Sequence, residues 1–163
     1  MPDSTEQKIV TRAMAIVAAI NGTGGYNTTL GSTLTDAGAA TQSIGDSRIH
    51  WDQAELPALS IFQGTVSPAD MDNEAQLVLR QLPLVFRGSL EKETTAAKAR
   101  QFIADIFRAI RSAGDTWEVD GTDLAHHTVE GDHRIVYTEE YELVGVEVEI
   151  SVFYIGNHLD MEA

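Results

Sequence analysis

Val144-Gly-Val-Glu-Val-Glu-Ile-Ser-Val-Phe-Tyr154 decides the fold. Val144, Val146, Val148, Ile150, Val152 and Tyr154 share one parity, and Gly145, Glu147, Glu149 and Ser151 the other. Side chains alternate faces along a strand, so this spacing predicts a closing strand with a single apolar face. A sheet built on it needs covering on one side only.

The cover comes from two helices. Ser4 to Ile20 places Ile9, Ala13, Ile16, Val17 and Ile20 on one stripe, behind a capping box of Ser4 and Gln7. The second helix opens at Thr94 or Thr95. It carries Ala99, Phe102, Ile103, Ile106, Phe107 and Ile110 at helical spacing, with Gly114 as its stop.

Between the helices, Arg48 to Gly64 (RIHWDQAELPALSIFQG) sets charges, an aromatic and a proline before an apolar run. Pro57 lacks an N–H and biases Leu56 to extended backbone, so it marks a strand entrance, the strand running from Leu56 to Gln63. The segment SPADMD, 67–72, reads as a turn. An extended stretch follows from Gln76 to Glu91, with Leu82, Leu84, Phe86, Gly88 and Leu90 on one face and Pro83, Arg87, Ser89 and Glu91 on the other. Pro83 in its middle predicts an edge or a bulge. Trp117 to Val119 reads as a short strand and His133 to Tyr141 as a longer one. The expected fold is α+β. One mixed sheet of about four to five strands carries two helices packed on one face, in the order α-β-β-α-β-β. A single domain spans 1–163, with a flexible Gly/Thr-rich loop or arm at 21–45 and a mobile acidic tail at 156–163.

Composition narrows the function. The chain has no cysteine, which removes thiolate metal sites and cysteine nucleophiles. Twenty-five acids against eleven Lys and Arg give a formal charge of −14, with no basic run to hold phosphate or anionic lipid. The N-terminus lacks a signal-peptide pattern, and its apolar stretch is too short to span a bilayer, so a soluble intracellular product is expected.

Candidate chemistry is sparse. His126, His127 and His133, with Glu130 and Asp132, invite a metal site, but adjacent histidines on extended chain diverge and no HExxH pairing exists. Glu147 and Glu149 share a strand face at roughly 6–7 Å by strand rise, a glycosidase-like spacing that is also ordinary for a solvated face. NGTGGYNTTLG, 21–31, lacks the GK[ST] ending of a phosphate loop, no GxSxG elbow organises a serine, and the sequon at Asn27 lacks a secretory route. No catalytic, cofactor-binding or metal-binding set is assigned.

The N-terminal helix, the Gly-containing loop, LPALSIFQG (56–64), LPLVFRG (82–88) and the late segment YTEEYELVGVEVEISVFY (137–154) together resemble the tail terminator family of long-tailed bacteriophages, of the lambda minor tail protein U type. The resemblance covers element order over most of the chain, with loose motifs. The 21–45 segment and the acidic C-terminus depart from shorter members. It implies a non-enzymatic virion protein, made in the host cytoplasm. Six copies would form a ring that caps the tail tube, ends its growth and meets the head or neck connectors. Genomic DNA would pass through without specific binding. Arg80, Arg87, Arg108, Arg111, Glu147 and Glu149 are the expected subunit-interface residues. A head–tail joining or tail completion factor, and an unrelated small α+β binding module, stay open as alternatives.

Overall fold

The computed structural model describes residues 3–34, 40–72 and 77–157. Helix α1 spans Thr5–Val17, capped by the Ser4 hydroxyl accepting from the Gln7 N–H at 3.2 Å, and buries Ile9, Val10, Ala13, Ile16 and Val17. Helix α2 spans Ala96–Ser112, capped by Thr95 accepting from the Lys98 N–H at 3.2 Å. It stops at Gly114, whose φ of +73° suits a residue without a Cβ.

The described residues form eight strands: β1 (Ser32–Leu34), β2 (Ala40–Gln42), β3 (Ile44–Asp46), β4 (Ala58–Gln63), β5 (Ser67–Asp72), β6 (Leu77–Ser89), β7 (His127–Tyr137) and β8 (Leu143–Asn157). Strands β1 and β2 pair with each other, and the other six form one sheet in the order β3-β4-β6-β8-β7, with β5 also on β6. The β3–β4 pair is parallel and the rest antiparallel, so the sheet is mixed. The α+β class and the mixed sheet agree with the sequence expectation, with six strands where four to five were counted.

The β6–β8 ribbon is the spine. Leu82 faces Val152, Leu84 faces Ile150, Phe86 faces Val148 and Gly88 faces Val146. These side chains, with Leu59 and Ile61 of β4, share one core with the buried stripes of both helices. Gly88 is required there: a Cβ would sit 2.4 Å from the Phe102 ring and 2.8 Å from Val146.

Several expectations are corrected. SPADMD is strand β5, not a turn; its low strand propensity yields to ladder pairing along β6, Ser67 opposite Gln81 through Asp72 opposite Leu77. Pro83 lies in a central strand rather than at an edge. Its carbonyl accepts from the Gly64 N–H at 2.8 Å, so its missing N–H points at the gap between β4 and β5, where the ladder is already interrupted. The strand assigned to 133–141 runs from His127 to Tyr137 instead. A bulge sets Gly131 and Asp132 against the single residue between Val148 and Ile150. Trp117 is a fully buried core residue with φ +49°, not part of a strand; its neighbourhood contributes only a Val119–Thr122 bridge.

The 21–45 segment, in its described part, is a docked arm rather than a free loop. The Gly31 N–H donates to the Pro57 carbonyl at 2.7 Å, and β3 pairs with β4. Of the expected acidic tail, Gly156 and Asn157 belong to β8, and 158–163 lie outside the described residues.

Candidate assembly surfaces

Arg48 to Leu56 form a polar knot at the β4 side of the sheet. Glu55, 8% exposed, accepts from the Arg48 guanidinium at 2.9 and 3.1 Å and from the Asp52 N–H at 2.8 Å. Arg48 lies 3.9 Å over the Trp51 ring, and the Trp51 indole N–H donates to Ser60 Oγ at 2.8 Å. The charges and aromatic before Pro57 thus lay a lid over Ser60, on the face opposite the helices. The buried carboxylate is tolerable because both of its oxygens meet a donor, one of them charged.

Beyond that lid no helix among the described residues covers the face. Alternation places Arg87, Glu147 and Arg134 in one row across β6, β8 and β7. Arg134 Nε donates to Glu147 at 2.8 Å. The next rows carry Phe62 and Val85, then Pro83 and Val129, then Phe153 and His127. The His127 and Phe153 rings stack at 4.4 Å, and Val129 stays 47% exposed.

A second surface lies on the helix side, where α2 meets β7. A groove of about 880 Å³ is lined by Ile103, Phe107 and Ile135 and by three arginines, Arg100, Arg108 and Arg111; Arg134 borders it too, but its guanidinium pairs with Glu147 on the open face. Glu130 is the one carboxylate lining it. Arg111 clamps Glu130 through two contacts, 2.5 and 2.8 Å. That guanidinium holds the Glu130 carboxyl below its ordinary range, and the Arg111 pKa is raised in return, first by the same hydrogen bond.

At the end of β7 the chain reverses through a tight hairpin. The Thr138 N–H donates to the Glu142 carbonyl at 2.8 Å, and the Tyr141 N–H to the Thr138 carbonyl at 3.0 Å. The reversal puts Tyr141 at φ +62°, the left-handed position that glycine usually fills in three-residue hairpin loops. Tyr141 is 88% exposed, and Glu139, Glu140 and Glu142 beside it are exposed as well.

The six residues expected at an interface are scattered. Arg87 and Glu149 stand exposed on the open face, whereas Glu147 is engaged by Arg134 of its own chain. Arg111 is engaged by Glu130, and Arg108 donates to the Gly25 carbonyl, tethering the arm to α2. Arg80 is half-buried beside Gly156 on the helix side. His133 stands apart, packed edge-on against Phe107 at 5.5 Å, but His126 and His127, expected to diverge, share a 2.7 Å Nδ1 contact because His126 precedes the strand that starts at His127. Among the described residues no group of three or more His, Asp or Glu could hold a metal ion, and no helix is long and apolar enough to cross a membrane.

Sequence reading missed Asp105. Only 1% exposed, its carboxylate accepts from the Asn27 N–H at 3.0 Å and the Thr28 N–H at 2.7 Å, fixing the arm to α2. The available signal was an acid on the apolar stripe, three residues after Phe102. Arg100 and Tyr141 were also passed over, as a cation off the core stripe and as the last residue of a strand.

No protein-family model matches the chain, and no curated protein matches it.

Proposed function

We propose that the protein is a structural assembly factor of a tailed-phage virion. In this reading it is a tail terminator whose copies close into a ring, six in the family it resembles, and cap the tail tube. The observation that carries this reading is the placement of LPALSIFQG and LPLVFRG. They form β4 and the end of β6, antiparallel partners in register from Ala58 opposite Ser89 to Gln63 opposite Leu84, followed by the amphipathic α2. That is the succession on which the resemblance rests.

The surfaces fit an assembly role. One sheet face is left without helices, and a closed ring needs each subunit to offer two different patches that match. The acid excess suits a conduit, since attractive phosphate contacts along its bore would hold DNA back. The tube protein and the neck connectors are the partners this role requires, and the virion is where it would be exercised.

Negative-stain electron microscopy of the protein alone, and mixed with tubes of its cognate tail protein, tests the reading. Rings, or caps confined to tube ends, are expected. Rings that ignore tubes but bind the neck would favour the head–tail joining alternative. Well-folded protein giving neither would remove both.

A further inference from the structure

The arginine groove and the glutamate hairpin differ from the rest of the molecule in opposite ways. The chain carries −14 overall, yet the groove gathers three of its eleven basic residues, Arg100, Arg108 and Arg111, around one carboxylate. One of the three is committed to an acid of the same chain, Arg111 to Glu130. Arg108 reaches a backbone carbonyl. Arg100 is exposed and makes no hydrogen bond or ion pair among the described residues. The groove therefore has cationic walls, an apolar floor and spare positive charge.

The hairpin offers the complement. Three glutamates flank an aromatic ring that touches almost nothing, on a turn already held by its own backbone bonds. A bulky residue at positive φ is costly where glycine would be at ease; Trp117 bears that cost for a place in the core, whereas the exposed Tyr141 ring gains no packing from it. At 88% exposure, Tyr141 does not occupy the groove of its own chain.

We propose that the 138–142 hairpin of one copy seats in the α2/β7 groove of a second copy. Tyr141 lies on Phe107, Ile103 and Ile135, and the glutamates meet Arg100 and its neighbours. This rests on the self-assembly reading above and names its contact. Because hairpin and groove are different patches, each copy gives one and receives one, the arrangement that closes into a ring. Direct charge pairing at the rim makes the association weaken with salt.

The test is sedimentation velocity over a concentration series, on wild type, Tyr141→Gly, Arg100→Glu and a mixture of the two variants. Tyr141→Gly relieves the turn, so its Tm should hold or rise while self-association falls at least tenfold. Arg100→Glu changes an exposed side chain that has no ion pair among the described residues, and should lose association without losing Tm. Mixed, the glycine variant supplies an intact groove and the glutamate variant an intact hairpin, so dimers and nothing larger are expected. Variants that assemble like wild type would overturn this contact and leave ring formation to another surface. A wild type that assembles through the contact but never caps tubes would keep the contact and remove the terminator reading. A wild type that stays monomeric at its highest soluble concentration would overturn this contact, and the tube-capping result would still decide the terminator reading.

Discussion

Phe86 and Val85 are neighbours on β6 and live in different worlds. Phe86 is fully buried in the core shared with the helices, between two apolar cross-strand partners, Ile61 and Val148. Val85 stands on the other face, half-buried between Phe62 and Glu149, with no helix over it. The two faces of one sheet thus answer to different constraints. The helix side is fixed by packing within the chain, where a methylene is felt. The open side tolerates Arg87, Glu147 and Arg134 beside Val85 and Phe153, a mixture that suits contact with water or another molecule rather than a private core.

Truncation is the most forceful way to break this comparison. Phe86→Ala should cost about 3–5 kcal/mol in chemical denaturation, whereas Val85→Ala should cost about 1 kcal/mol or less. Equal losses would mean that the open face is covered in solution.

Asp105→Ala sharpens the covered side. It strands the Asn27 and Thr28 N–H groups, an expected loss of about 2 kcal/mol. Amide exchange should accelerate through 26–31 and stay unchanged in β8. A smaller effect belongs to the open face. Arg134→Ala removes a partner that is 70% exposed, so stability should move by about half a kcal/mol or less and lose its dependence on salt there.

The smallest effect is the Arg111–Glu130 clamp in the groove. The folded Glu130 carboxyl is held below its unfolded value by Arg111, so the pair stabilises at and above the ordinary carboxylate range. That contribution disappears as pH falls through the lowered value. Glu130→Gln should therefore flatten only the acid limb of the stability profile and leave neutral pH dependence unchanged.

What could be read in advance follows the range of the interactions. β8 and α2 were legible because every second, or every third and fourth, residue met the same core. Pro57 was legible because it speaks only of its own backbone. β5 was not, since Ser67 to Asp72 carries no strand signal and is held by the ladder of β6. The arm was legible as a segment but not as docked, because its anchor Asp105 lies 77 residues from Thr28 in sequence. Among the interface candidates, Glu147 and Arg111 found partners in their own chain, because register across β7 and β8, not residue type, decides which charges meet.

The surplus residue at Gly131–Asp132 has an evolutionary consequence. Upstream of it Thr128 and Glu130 face the helices, and downstream His133 and Ile135 do, so the odd residue changes parity without turning any side chain over. Losing one residue there would restore plain alternation and leave both halves of the strand facing as they do now. The same deletion in β8 would exchange its valines for its glutamates. Length variation among related chains should therefore collect at 131–132 and be purged from the strand beside it.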